Sequence, residues 1–431
     1  MARNWSENIL FSSTPTPVGT VGDVQSFVKE HDKVRVVGSG HCFHRIADGP
    51  NLLNLDAMTA GIELNREAST VTVAAGMRYG QLCPILHQEG FALHNLASLP
   101  QISIVGGCAT ATHGSGDGNQ NLAAAVTALE LVTAEGDLRL LSRKDHSKIF
   151  PGAVVNLGAI GVVTRVTLKI EPAFDVRQDV YKNLRLEQLK DHFAKIMSAG
   201  YSVSLFTNWQ NEMFSQVWLK RRVEKGVALE AEKEFYGAEL ATENLHPVTG
   251  KPAGPCTQQK GEAGPWFERL PHFRMEFRPS VGEELQSEYF VPRTNAVEAI
   301  LAIKRLRDEI SPHLLVSELR TVAADDLWLS PCYNRPSLAI HFTWKPELEA
   351  VQRVLPRIED ALRPFAVRPH WGKLFSLTPA QIEQEYERLA DFKELLREFD
   401  PQGKFRNSFL DATLFPNPGD ETRPTPLTSG G

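Results

Sequence analysis

The segment RVVGSGHCF (35–43) constrains this chain more than any other. A β-branched run, Val34 to Val37, stops at Gly38, and Gly38, Ser39 and Gly40 then present backbone N–H groups with little side chain in front of them. Such a run lets a diphosphate approach the main chain, where those N–H groups neutralise it. The dinucleotide fingerprint G-x-G-x-x-G nevertheless fails at its third glycine, where Phe43 stands. Gly49 and Pro50 follow within a few residues, so no helical pattern opens behind the loop as that fingerprint requires. Asp56, the tempting ribose-binding acid, simply ends the strand-like NLLNLD. A nicotinamide domain is disfavoured, and an NAD-dependent dehydrogenase stands only as a lesser alternative.

Two further glycine-rich segments follow. SLPQISIVGGCATATHGSGDGNQN (98–121) interleaves Gly106, Gly107, Gly114, Gly116 and Gly118 with Thr110, Thr112, His113 and Ser115. Its first half is small and apolar rather than solvating, which suits backbone packed against a ligand. NLGAIGVVT (156–164) opens two glycines into a strand. Three such segments in one region point to an extended cofactor lying across several loops. Beside the first sits His41, which reads either as a histidine hydrogen-bonded within a turn or as a nucleophile that attaches the cofactor. Neutral imidazole suits the second role because it is nucleophilic near neutral pH.

At 431 residues the chain is too long for one ordinary core, so two domains are expected. Strand and helix units fill the first part: helices at Val24–Glu30 and Tyr79–Gln88, strands at Thr70–Val73 and Val162–Ile170, and a hairpin from Leu129–Thr133 to Leu138–Leu141. After Pro172 the segments SVSLF (202–206), QVWLKRR (216–222), FRMEF (273–277) and LAIHFTW (338–344) read as strands, with helices over 295–310 and 347–362. Residues 236–265 read as a long excursion. A last helix opens at Thr378-Pro379 and ends near Phe399. The divisions expected are a cofactor domain over 8–173, a substrate domain over 174–415 whose C-terminal segment returns to the first, and a disordered tail over 416–431.

A formal net charge of −6 leaves no cationic excess for nucleic acid or an anionic membrane. No apolar run is long enough to span a bilayer, and no secretory signal opens the chain. Five cysteines without a C-x-x-C pair fit a reducing cytoplasm better than a disulfide framework. His41 and His44 have H-x-x-H spacing, but nothing completes a ligand set, so no metal is expected.

Taken together, VRVVGSGHCF (34–43), LHNLASLPQIS (93–103), ATATHGSG (109–116), LGAIGVVT (157–164), YSVSLFTNW (201–209), QVWLKRR (216–222), PWFERLPHFRMEF (265–277), LQSEYFVPR (285–293), SELRTVAADDLWLSP (317–331), HFTW (341–344), RPHWGKLF (368–375) and DPQGKFRN (400–407) resemble the alditol oxidases. These are covalent flavoproteins of the vanillyl-alcohol-oxidase type, related to the sugar-lactone oxidases. The resemblance runs from Asn4-Trp5 to about Phe409, and the runs ELRTVAAD and RPHWGK are its most specific part. It implies an α+β fold, a two-part FAD-binding domain with an α+β cap domain over the isoalloxazine ring. FAD would be linked through its 8α-methyl carbon to His41. Val36, Val37, Gly38, Ser39, Gly40, Cys42, Ala97, Ser98, Ser103, Gly106, Gly107, Cys108, Ala109, Thr110, Ala111, Thr112, His113, Gly161 and Val162 would line it. Cys42 and Cys108 depart from the family's usual serine, and Ala97 resembles the small residue that leaves O2 a path to the flavin.

By the same resemblance Ser98, Glu318, Arg320, His341, Thr343 and Lys373 would hold a small polyol such as xylitol or sorbitol. Arg320, Lys373 and Glu318 would carry the oxidation of its C1 hydroxyl to an aldehyde, with hydride passing to flavin N5 and O2 reduced to H2O2. Spacing alone adds one point: Glu318 with Arg320, and His341 with Thr343, lie two apart in strand-like runs and so share a face. Read without the family, Glu318 with Arg320 is an ordinary surface ion pair and Lys373 a solvated lysine. A monomer is expected. The competing functions are a sugar-lactone oxidase or dehydrogenase with the same flavin, and a catalytically silent flavin-binding protein.

Overall fold

The glycine-rich loops hang from two small sheets in the computed structural model, which describes residues 2–59, 61–224, 230–277 and 284–425. Helix α1 (Val21–Glu30) starts at Thr20, whose side chain accepts from Asp23 N–H while Asp23 bonds back to the Thr20 N–H. It leads into β1 (Arg35–Val37), which pairs in parallel with β2 (Leu52–Asn54), and Thr16–Pro17 adds a parallel edge. Five strands, β3 (Glu63–Asn65), β4 (Thr70–Ala74), β5 (Val126–Val132), β6 (Leu138–Ser142) and β7 (Val162–Lys169), form an antiparallel sheet in the order β3-β4-β7-β5-β6, with helices α2 (Tyr79–Gln88) and α3 (Ile104–Ala109) in the connection from β4 to β5. Val24 and Val28 of α1 pack with Val34, Leu53, Ala74, Val132 and Val162, which ties the two sheets into one core.

From residue 175 a ten-stranded sheet takes over. Its central strands are β8 (Asp175–Arg185), β9 (Ser202–Thr207), β10 (Met213–Val223), β11 (Leu285–Pro292), β12 (Leu314–Val322) and β13 (Ser337–Trp344), running antiparallel in the order β8-β10-β9-β12-β13-β11. Every residue of β13 is buried, so both faces of the sheet are covered. Leu338, Ile340, Phe342 and Trp344 belong to the main core with the apolar stripes of α4 (Leu186–Met197), α5 (Ala296–Arg305) and α6 (Leu348–Leu362). The alternate residues, His341 and Thr343, are left for the opposite face.

The chain's end returns to the first sheet. Val34 N–H donates to Lys404 O at 2.9 Å, and Phe405 joins the core beneath α1. The buried Arg35 guanidinium donates to Phe405 O (2.6 Å), Gly158 O (2.7 Å) and Leu157 O (2.9 Å), binding that return to the 156–164 loop.

Four local expectations change. FRMEF is no strand: Phe273 makes a single bridge to Cys256, and Met275 and Phe277 are exposed, so no sheet face claims the alternation. The 295–310 helix is α5 followed by a short turn of helix at Arg307–Ile310, with Leu306 between them. The helix opening at Thr378 is capped as expected but breaks at Tyr386, which leaves the helical conformation, packs tilted against Trp371 at 5.0 Å and donates to Pro369 O. It becomes α7 (Pro379–Glu385) and α8 (Leu389–Phe399), and a further helix, Ser408–Leu414, follows. In the stretch expected as a tail, residues 416–425 make contacts with the body of the chain: Ala380 N–H donates to Glu421 O, and the buried Thr425 hydroxyl donates to Leu377 O. The rest of the expected tail, 426–431, lies outside the described residues. No helix among the described residues is long and apolar enough to cross a membrane.

Candidate active site

A cavity of about 490 Å³ opens between the glycine-rich loops and the polar face of the large sheet. The loop side is built from backbone. Gly40 takes φ +69° and turns the chain so that its carbonyl accepts from Trp5 N–H, with Trp5 stacked on the His41 ring at 5.2 Å. Ser103 N–H donates to Ser39 Oγ, which clips the first loop to the second. A Cβ on Gly38 or on Gly106 would come within 2.6 Å of Ser103 Oγ, so these glycines are where main chain and serine close on each other.

Val36, Gly38, Ser39, Gly40, His41, Cys42, Ala97, Ser98, Ser103, Gly106, Gly107, Ala109, Thr110, Thr112, His113 and Gly161 line this side, as do Asn156, Leu157 and Gly158. Four expected residues do not. Val37 follows Val36 on β1 and so faces the other way, into a cluster with Ile9, Phe11 and Leu52. Cys108, on the short helix Ile104–Ala109, turns from the cavity and meets Tyr79 Oη at 3.6 Å. Ala111 is core, at φ +55°, and Val162 starts β7 beneath α1.

The residues fit a flavin dinucleotide. Ser39, Gly40 and Gly106 have backbone N–H groups that donate to no carbonyl among the described residues. His41 Nδ1 is buried without a hydrogen-bond partner. Burial, reinforced by Arg78, pulls the His41 pKa down to about 4, so the ring is neutral and carries a free nitrogen lone pair at neutral pH. Cys42 and Cys108 are the opposite case: burial pushes their thiols up to about 11 and about 12, which keeps both protonated. No disulfide forms among the described residues.

Opposite the loops stands a lattice of side chains set by strand register. Glu288 on β11 lies beside His341 on β13, which lies beside Glu318 on β12. Two residues along, Gln286 lies beside Thr343, which lies beside Val316. Two residues the other way on β12 is Arg320. Arg320 Nη2 donates to Glu288 Oε1 (2.9 Å) and Nη1 to Ser98 Oγ (3.3 Å). Lys373, from the loop after β13 and α6, donates to Glu288 Oε2 (2.5 Å) and to His341 Nδ1 (2.9 Å), and His341 Nε2 meets Thr343 Oγ1 at 3.0 Å. Ser98, Glu318, Arg320, His341, Thr343 and Lys373 thus all meet in one cavity.

Charge is balanced inside this lattice. Burial pushes the Glu288 carboxyl up, but Lys373, His113 and Arg320 outweigh it and hold it well below the usual carboxylate range. Glu318 is likewise held down by Arg320 and His272 against burial. Burial, aided by Lys373, brings His341 to about 4, so it is neutral. Burial and Arg320 lower Lys373, while Glu288 pulls it back up. Glu288, Gln286 and His272 were missed by sequence reasoning, and the signal was present for the first two: LQSEYF alternates like SELRTV and HFTW. His113, Glu288 and His370 bring one ligand atom each within 4.8 Å of one another, a spacing a metal ion can use. Arg320 and Lys373 already occupy the two Glu288 oxygens, so a dication there would meet two fixed cations.

Residues 14–142 match the FAD binding domain family, and residues 281–413 match the D-arabinono-1,4-lactone oxidase family. The chain is 48% identical to an alditol oxidase of Streptomyces sp. (strain IKD472 / FERM P-14339), over 94% of this chain and 97% of that protein. It is 29% identical to an L-gulono-1,4-lactone dehydrogenase of Mycobacterium tuberculosis (strain ATCC 25618 / H37Rv), over 93% and 95% of the two chains. Among solved structures, the cholesterol oxidase from B. sterolicum superposes with a TM-score of 0.76 at 17% identity, covering 96% of each chain. A xylooligosaccharide oxidase from Myceliophthora thermophila C1 gives 0.72 at 14% identity, over 94% and 93%. Both likenesses concern the fold.

Proposed function

The chain belongs to the alditol oxidase family, FAD-dependent oxidoreductases related to the sugar-lactone oxidases, and from that premise we propose that it oxidises the C1 hydroxyl of a small alditol, such as xylitol or sorbitol, to the aldehyde, with FAD bonded covalently to His41 and O2 as electron acceptor. Bound FAD would supply the acceptor for the hydride from C1, with O2 as the final oxidant, reduced to H2O2. The observation that carries the reading is the lattice of Glu288, His341, Glu318, Arg320 and Lys373 around one cavity. Its formal charges cancel, so it suits a neutral substrate covered with hydroxyls, each needing a matched donor or acceptor.

Ser98, Thr343 and Gln286 are neutral partners for such hydroxyls along the cavity. Glu318 accepts from the C2 hydroxyl, since its Oε2 takes no hydrogen bond from the described residues. Arg320, fixed by Glu288 and Ser98, stabilises negative charge developing on the C1 oxygen, as an oxyanion site does. Lys373, once it has given up its own ammonium proton, takes the hydroxyl proton at Nζ; burial and Arg320 lower its pKa toward that task. His341, neutral, keeps Nζ aimed through Nδ1. On the loop side His41 is the nucleophile for the covalent bond, and Trp5 holds its ring in place.

The deciding experiment is anaerobic mixing of the purified yellow protein with xylitol, sorbitol and a sugar lactone while the flavin absorbance is followed. Bleaching by the polyols and not by the lactone is expected. Bleaching by the lactone alone makes the protein a lactone oxidase or dehydrogenase, and no bleaching with any of them makes it a silent flavin binder.

A further inference from the structure

Behind Glu318 lies a charged group that the reaction above does not use. Lys220, on β10, is fully buried, and no carboxylate lies within ion-pair distance of it among the described residues. Its Nζ donates to Leu270 O (2.6 Å), to Pro271 O (3.1 Å) and to His272 Nδ1 (3.3 Å). Three acceptors account for all three ammonium hydrogens. With Nδ1 accepting, the proton of the neutral His272 ring sits on Nε2, and Nε2 lies 2.7 Å from Glu318 Oε1. Trp218 and Phe206 meet the imidazole edge-on, at 5.0 Å and 5.6 Å, and fix the plane of the ring. His272 lines the cavity, and Lys220 stands behind it.

Resting on the reading that Glu318 holds a substrate hydroxyl, we propose that Lys220 and His272 form a positioning relay: the Lys220 ammonium selects the Nε2–H tautomer of His272, and that N–H pins Glu318 Oε1 so that Oε2 is presented to the substrate. A His272 protonated on Nδ1 would lose the Lys220 bond and face the Glu318 carboxylate with a lone pair. An isolated buried ammonium is costly; here it sets the hydrogen-bond polarity of a chain that ends in the cavity. The relay is pH-linked. Burial pulls Lys220 down to about 7, with Glu318 and Cys256 pulling it back up and Arg320 pushing it lower. His272, lowered to about 4 by burial, feels Glu318, Lys220 and Arg320, and Glu318 feels His341 besides these. Once Lys220 loses its proton, two hydrogens remain for three acceptors, and the tautomer is released.

The test uses the flavin-loaded protein labelled with 15N-histidine, His272→Gln serving to assign the His272 signals. At pH 6 His272 is expected as the Nε2–H tautomer, becoming a mixture as the pH rises to 8.5. In Lys220→Met the mixture is expected already at pH 6. In parallel, Lys220→Met should raise KM for xylitol about tenfold while kcat changes less than about threefold, the loss of one positioned hydrogen bond. His272→Gln, whose amide still donates to Glu318, should stay within about threefold of the parent, and His272→Phe should not. An Nδ1–H or doubly protonated His272 at pH 6 overturns the relay, and so does an unchanged KM in a folded Lys220→Met. Should Lys220→Met fail to fold, the pH titration of the parent protein decides. If polyols do not reduce the parent's flavin, the proposed activity is what fails, and the tautomer still reports on the relay.

Discussion

The loops carrying Gly38 to Cys42 and Ser103 to His113 line one side of the cavity with main chain and small side chains, whereas β11, β12 and β13 line the other with paired charges. The first side makes its contacts through backbone N–H groups, so what it recognises depends on where glycine allows close approach. The second makes its contacts through side chains whose protonation states depend on one another. A substitution on the loop side therefore acts by shape and one on the sheet side by charge. This separates cofactor retention from chemistry, and the two can be broken independently.

The largest effect is expected on the sheet side. Lys373→Ala removes the proposed proton acceptor and leaves the Glu288 carboxylate with Arg320 and His113. Turnover with a polyol should fall by roughly two or more orders of magnitude while the protein stays yellow. Stopped-flow reduction checks it, and an unchanged reduction rate removes Lys373 from the chemistry. The counterpart on the loop side is His41→Ala. The flavin should leave the chain on denaturation, so the fluorescent band on a denaturing gel disappears, while polyol turnover by the reloaded protein falls less than in Lys373→Ala. A band that persists would falsify the assignment of the bond to His41.

Glu288→Gln sharpens the contrast by changing charge at constant shape. The carboxylate favours the ammonium form of Lys373, so its loss lowers the Lys373 pKa. The ascending limb of kcat/KM against pH should move toward lower pH. A limb that stays in place means that Lys373 is not the group that titrates.

The two sides also differ in how much of them the sequence displays. Glu318 with Arg320, and His341 with Thr343, are legible because strand spacing puts alternate residues on one face, and both pairs lie in that lattice. Glu288 follows the same rule, but a carboxylate in an apolar strand has no visible partner until register sets it beside His341 and within reach of Lys373. His272 and Lys220 were beyond reach because their link to Glu318 crosses β9 and is made by a loop, not by a periodic element. On the loop side the small-residue segments were visible as segments, yet Val37, Cys108 and Ala111 show that composition does not tell which residue of a glycine-rich run faces inward.

The smallest effect lies on the far face of the same strand and tests whether the charge on Glu288 comes from its cations or from burial as such. Next to Glu288 in β11, Tyr289 points the other way and its hydroxyl donates to Glu359 of α6 at 2.8 Å; Ser376 N–H donates to the same oxygen at 2.7 Å. Glu359 is as deeply buried as Glu288 but has only hydroxyl and amide donors. Burial therefore prevails and pushes its pKa up to about 7, while Glu288, amid cations, falls. The native state holds the Glu359 proton to higher pH than the unfolded chain, whose carboxyl titrates near the ordinary 4.5. The stability it contributes is thus complete below about pH 4.5 and is lost as the pH rises through 7, by at most ~3 kcal/mol. Glu359→Gln stays neutral throughout but must turn an amide toward Ser376. Relative to the parent it should gain up to ~3 kcal/mol on going from pH 5 to pH 8 in denaturant unfolding, a change from which the pH-independent cost of turning that amide cancels. A variant whose stability tracks the parent at every pH would mean that hydroxyl donors hold Glu359 ionised as well, and that cations are not what distinguishes Glu288.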